Sequence, residues 1–171
     1  MAAVGSKITV AVDPPCAYLR ITGRAAVESS RDFKALILQL TSEGISRFVL
    51  DLRDCLLMDS TFSGVLAGLV SPRASEPPRP LALEFTVVQP NERVTDLLDN
   101  LGVLPLVRRL NSSPIPVSGP IDQEMPAGVH SKTEVAECCL EAHQILMALK
   151  PENVAKFRSL EQVLTAQLGM K

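Results

Sequence analysis

Tryptophan is absent from the 171 residues, and one tyrosine and five phenylalanines make up the whole aromatic complement. So few rings exclude the stacking platforms on which single-stranded nucleic acids lie. The net charge of −2 likewise lacks the basic excess that phosphate backbones and anionic membranes attract. No apolar run approaches the ~20 residues needed to cross a bilayer. The segment Met1–Asp13 does not have the charged and then apolar layout of a secretory signal. A cytoplasmic protein is expected, with neither nucleic acid nor membrane as partner. Catalytic signatures are also missing: there is no G-x-S-x-G elbow, no phosphate-cradling glycine loop and no H-x-x-x-H pair. The histidines, His130 and His143, fall in or beside the C-terminal segment and offer no evident base for a nucleophile elsewhere. Asp51, Asp54 and Asp59 cluster, but acidic residues at strand ends and helix starts are also the solvated, dipole-matched choice. No catalytic residue and no cofactor is therefore expected.

Cysteine is present without forming a framework. Cys16, Cys55, Cys138 and Cys139 are even in number, yet adjacent Cys138 and Cys139 rarely pair and a cytosolic chain keeps thiols reduced. Cys139 and His143 lie one helical turn apart, but with the distant His130 they are too few for a zinc site. Buried thiols are the expectation, and no metal.

The chain is organised around Phe48 to Val70. Phe48, Val49, Leu50 and Leu52 make a short apolar run, broken by Asp51 and closed by Arg53-Asp54, which predicts an inner strand. From Phe62 the period changes: Phe62, Val65, Leu66 and Leu69 fall on one helical face. Between them, Asp59, Ser60 and Thr61 all suit a helix N-terminus, where side-chain oxygens accept orphan N–H groups. Along the helix Ser63, Gly64, Ala67, Gly68 and Ser71 are small. Either they bring the helix close to a sheet, or they leave a shallow surface for a partner helix; close packing on the sheet is the first expectation.

Before this stretch, Ile8–Val12 and Cys16–Thr22 read as a hairpin broken at Asp13-Pro14-Pro15. Ser29 and Asp32 form a capping pattern ahead of the stripe Phe33, Leu36, Ile37 and Leu40, with Gly44 as a stop. After it, Pro72–Pro80 is a loop, and Leu81–Gln89 alternates as a strand. Asn91 caps a helix carrying Val94, Leu97, Leu98 and Leu101 that stops at Gly102, and Leu104–Leu110 is a short edge strand. The order βαβ-type elements take here predicts an α/β fold, a mixed sheet of four to five strands with helices packed mainly on one side.

Residues 113–129 read as a proline-rich linker. Ser131 and Glu134 then form a capping box. The stripe Val135, Cys138, Cys139, Ala142, Leu146 and Leu149 follows, Lys150-Pro151 interrupts it, and a second stripe runs through Val154, Phe157, Leu160/Glu161, Leu164 and Leu168. Residues 130–171 are thus a helical hairpin. It cannot bury both stripes alone, so it docks on the preceding body or on another subunit, the latter making a homo-oligomer.

The strand ending Leu50-Asp51-Leu52-Arg53-Asp54-Cys55 and the turn Asp59-Ser60-Thr61-Phe62-Ser63-Gly64 resemble the STAS domain, over roughly residues 6–112. This family includes the bacterial anti-sigma factor antagonists, whose signature is Asp-Ser-Ser/Thr-Gly-Leu-Gly. Asp59, Ser60, Thr61 and Gly64 match it, while Phe62-Ser63 stand where the family has Gly-Leu. The resemblance implies a STAS-like domain over 1–112 whose phosphoacceptor is Ser60 and whose partner-binding residues are Asp59, Ser60, Thr61, Ser63 and Gly64. It implies partner switching: the unmodified antagonist binds an anti-sigma factor with serine kinase activity, phosphorylation breaks the contact, and a PP2C-type phosphatase restores it. The alternative is a STAS subunit that is never phosphorylated and serves as an accessory part of a larger complex, such as a lipid-transport or signalling assembly.

Overall fold

The computed structural model describes residues 5–71, 82–112 and 123–170. The expected Pro72–Pro80 loop, and most of the proline-rich stretch, lie outside them. Strands β1 (Lys7–Asp13) and β2 (Cys16–Ala25) form an antiparallel hairpin that closes where Asp13 faces Cys16. The remaining strands are β3 (Arg47–Asp51), β4 (Cys55–Met58), β5 (Glu84–Val88), β6 (Arg108–Leu110) and β7 (Gln123–Glu124). They make one mixed sheet ordered β6-β5-β3-β2-β1-β7, with β4 paired to the far end of β2. The described sheet has seven strands because two short ones, β4 and β7, add to the expected hairpin, β3, β5 and the edge strand β6.

Alternation decides which side of the sheet is covered. Ala17, Leu19 and Ile21 of β2 are fully buried and alternate with half-buried Tyr18, Arg20 and Thr22. Register carries the same face across the neighbours: Leu19 lies beside Val10, Leu50 and, one strand on, Val87. Phe48 and Phe85 stack there with ring centroids 5.1 Å apart. The helices α1 (Val27–Ser42), α2 (Ser60–Val70) and α3 (Glu92–Asn100) bury Phe33, Ile37 and Leu40, Phe62, Leu66 and Leu69, and Val94 and Leu98 in that single core.

Most helix signals act as the residue types predict. Asn91 Oδ1 accepts from Val94 N at 2.9 Å, and Gly44 and Gly102 end α1 and α3 with φ of 94° and 80°, conformations that a side chain opposes. The start of α1 differs. It begins at Val27, so Ser29 and Asp32 lie inside the helix, and the Ser29 and Ser30 hydroxyls donate back to Ala26 O. The end of the body differs as well, because Leu104–Leu106 is a single 3-10 turn that leaves only Arg108–Leu110 to pair with β5.

Within the expected linker, Gln123 and Glu124 pair with Val10 and Thr9 and add β7 to the sheet edge. Helix α4 (Lys132–Leu149) then opens with the complete Ser131/Glu134 capping box, and α5 (Pro151–Gln167) follows after the break at Lys150. The hairpin docks within the same chain. Cys138, Ala142 and Leu146 of α4 belong to the main core, while Ala136, Leu140 and Leu164 form a smaller cluster joining α4 to α5. Buried Asn153 fastens the hairpin further, donating to Leu101 O at 3.0 Å and Leu146 O at 2.8 Å.

Candidate functional site at the start of α2

Asp59 holds the hydroxyl turn in place. Its backbone N–H donates to Ala25 O at 2.9 Å, which fixes the turn to the end of β2. One carboxylate oxygen accepts from Phe62 N at 2.8 Å and caps α2. The other accepts from Val27 N, also at 2.8 Å, so the same side chain serves the first turn of α1. This bond supplies what Ala26, the N-cap residue of α1, lacks. Asp59 thereby sets the angle between two helices.

The hydroxyls that follow have separate tasks. Ser63 is fully buried and donates to Asp59 O at 2.8 Å, inside the helix. Thr61 is buried with its Oγ1 3.5 Å from Cys139 Sγ of α4. Ser60 is half-buried, and its Oγ lies 2.8 Å from His143 Nε2. The direction of that bond follows from the other ring nitrogen. His143 Nδ1 is 2.7 Å from Cys139 O, and a carbonyl only accepts, so Nδ1 carries the proton. Nε2 is then the acceptor for the Ser60 O–H. The sequence offered no base for Ser60; the fold supplies His143 from a position 83 residues away.

The pair shares its geometry with activated nucleophiles, but its surroundings differ. His143 is 1 % exposed and its ring meets the Phe157 ring edge-on at 4.7 Å. A substrate has no approach to the serine from that side. The aspartates do not form an acid–base set either. Asp51 is gripped by Arg53 through its backbone and guanidinium and by Arg20. Burial alone would raise the Asp51 pKa, and the Arg53 and Arg20 hydrogen bonds reverse this and hold it below the ordinary carboxylate range.

Gly64 and Gly68 face α4 rather than the sheet, so the shallow-surface reading of the small residues describes them, with the partner helix supplied by the same chain. A Cβ on Gly64 would run into the Ala142 carbonyl oxygen and come within 2.8 Å of Ala142 Cβ. A Cβ on Gly68 would come within 2.7 Å of Ile145 Cδ1. Phe62 points the other way. It is fully buried and stacks on Phe33 with centroids 4.7 Å apart, so the residue standing where the resembled signature has glycine belongs to the core. Around this contact, Arg31 pairs with Glu134 at 2.9 Å and Lys34 with Glu141 at 2.6 Å. Asp32 accepts from Gly128 N at 3.0 Å and meets His130 Nε2 at 2.6 Å. Of the three candidate metal ligands, Cys139 lies beside His143, its Sγ 3.6 Å from Nδ1, whereas His130 faces Asp32 elsewhere.

Comparison with solved structures adds a fold relationship. The chain superposes on the anti-sigma factor antagonist SpoIIAA in its unphosphorylated form with a TM-score of 0.51 at 14% identity, over 61% of this chain and 88% of that one. A candidate anti-sigma factor antagonist of Thermotoga maritima gives 0.52 at 20% identity, over 61% and 86%. The NMR structure of TM1081 gives 0.50 at 19% identity, over 60% and 79%. The fold is a STAS fold. No protein-family model and no curated protein sequence matches the chain. The STAS relationship is therefore carried by backbone geometry, and the structural neighbours are regulatory proteins by description. No described helix is long and apolar enough to cross a membrane.

Proposed function

We propose that this STAS protein is a regulatory binding module of the anti-sigma factor antagonist kind, switched by reversible phosphorylation of Ser60. One observation carries the choice of residue. Asp59 and Ser63 are consumed in holding α2 to the body, whereas the Ser60 hydroxyl meets only a side chain of α4. Thr61 also serves no cap but is buried against Cys139, so Ser60, half-buried, is the hydroxyl of this turn that is both reachable and not needed for a cap. The structural neighbour SpoIIAA, described in its unphosphorylated form, supports the same reading. A phosphate there adds about −1.5 to −2 charges, and a helix N-terminus tolerates an anion. A partner surface fitted to a neutral hydroxyl does not. The partner is an anti-sigma factor with serine kinase activity, and a PP2C-type phosphatase resets the cycle. The surface it meets is centred on Asp59 and Ser60; Thr61 and Gly64 lie beneath α4 and Ser63 supports the turn from within, so these three shape the surface indirectly.

A second reading has its own support. The bond between Ser60 and buried His143 suits an accessory subunit in which the hairpin seals α2 permanently. Phosphopeptide mapping of protein taken from its native cell, beside a Ser60→Ala variant, separates the two. Phosphate on Ser60 that disappears in the variant is the expected result. Phosphate on Thr61 or Ser63 would overturn the residue assignment, and none under an active kinase would leave the accessory-subunit reading standing.

A further inference from the structure

His143 is built into α4 as a proton acceptor aimed at one hydroxyl. Cys139 O takes the hydrogen of Nδ1 at 2.7 Å, so the Nε2 lone pair faces the Ser60 hydroxyl at 2.8 Å. Burial of the imidazole and the edge-on Phe157 ring hold that aim. A serine hydroxyl is a weak nucleophile until an adjacent base, itself oriented by a third group, takes its proton. Here the third group is a main-chain carbonyl one turn back on α4. Other groups do not compete for the proton. The Asp59 carboxylate is spent on Val27 N and Phe62 N, and Cys139 Sγ lies against the opposite ring nitrogen. Burial of His143 closes one side of the hydroxyl, while half-buried Ser60 remains reachable from the other.

We propose that Ser60 and His143 are a proton-transfer pair, in which His143 is the base that makes Ser60 a phosphoryl acceptor. The inference rests on the reading of Ser60 as the modified residue and adds how this chain assists its own modification. In the step, Ser60 Oγ bonds to the γ-phosphorus of a nucleoside triphosphate held by the kinase. The bond from that phosphorus to the bridging oxygen breaks, and the nucleoside diphosphate leaves with the electron pair. The Ser60 proton passes to His143 Nε2. The imidazolium then has an acceptor for each N–H, Cys139 O for one and a phosphoryl oxygen for the other. Its charge is thus paired and hydrogen-bonded where burial alone would oppose it. On the α2 side, Asp59 takes Phe62 N. The amides of Ser60 and Thr61, which have no acceptor within a helix, are left to the incoming anion.

The nucleophile is tested without a kinase, by treating the full chain with diisopropyl fluorophosphate. Ser60 Oγ bonds to phosphorus, fluoride leaves and Nε2 takes the proton, so the same base is read. Site-resolved mass spectrometry compares Ser60 with Ser159, which is exposed on α5 and serves as the unassisted hydroxyl. Ser60 is expected to label about a hundredfold faster, the low end of what a positioned base contributes. His143→Gln keeps an acceptor for the Ser60 hydroxyl but cannot take its proton. A bond of purely structural value survives that change, whereas loss of the base brings the Ser60 rate down to that of Ser159. Heavy water should slow labelling of Ser60 in the parent, because the Oγ–H bond breaks as the P–O bond forms. This comparison needs no variant, so it decides even where circular dichroism shows His143→Gln to be misfolded. Ser60 no faster than Ser159, an unchanged rate in folded His143→Gln, or no slowing in heavy water would each overturn the proposal. The two readings separate cleanly. An inert Ser60 that carries phosphate in the cell overturns the base alone, and a reactive Ser60 that carries none overturns the switch alone.

Discussion

Phe62 and Gly64, two residues apart on α2, show opposite ways of burying a helix. Phe62 faces inward and fills its space, stacked on Phe33 in a core shared with Leu66 and Leu69. Gly64 faces outward and is buried by what it lacks, since only a missing side chain lets Ala142 of α4 come so near. The inner face is held by apolar area removed from water, a large and non-directional contribution. The outer face also buries apolar side chains of α4, Ala142 and Leu146 among them, but depends in addition on close approach and on directional bonds such as Ser60 to His143. Substitutions should therefore act differently on the two.

The greatest effect is expected from Phe62→Ala. Removing a buried phenylalanine costs about 3–5 kcal/mol, and urea unfolding followed by circular dichroism should show a much lower midpoint for the whole chain. A loss confined to the hairpin would break the comparison. Gly64→Ala comes next, and its sign is the informative part. Alanine in a helix interior ordinarily gains up to about 1 kcal/mol over glycine. Here overpacking against Ala142 should reverse this to a loss of about 1–3 kcal/mol, read from the same unfolding curves. A stabilised variant would show that the close approach of α2 and α4 is not a constraint.

The smallest effect is expected at Asp51, which lies apart from both faces. Arg53 and Arg20 favour its charged form in the folded protein. A carboxylate pKa lowered on folding stabilises the protein above the unfolded value of about 3.9, and that contribution disappears as pH falls through the folded pKa. Asp51→Asn should therefore lower the urea midpoint at pH 7 and differ less from the parent near pH 3. An equal gap at both values would assign the loss to geometry and not to charge.

The sequence was legible where a residue acts on its neighbours. Asn91, Gly44, Gly102 and the Ser131/Glu134 box each govern a bond or turn within a few residues, and each does so in the structure. Legibility failed where the cause is distant. Helix α1 starts two residues before the expected serine because its cap oxygen belongs to Asp59, 32 residues on from Val27. β4 and β7 are too short to show a period and exist because β2 and β1 offer them an edge. The hydroxyl turn was found from its local pattern, but its contact with His143 was not, since no spacing rule links positions so far apart. What covers the site is a property of the fold.

Seven residues separate the end of β7 from the start of α4, and β7 is pinned to β1 through Thr9 and Val10. A tether of that length reaches at most about 25 Å, so the hairpin is held beside its own body. Short connections of this sort act as a local concentration of order millimolar. The hairpin of a second copy, present at micromolar levels, would have to displace a resident that is always at hand. Docking within one chain is therefore favoured over exchange of hairpins between copies, and the preference is insensitive to how much of this protein the cell contains.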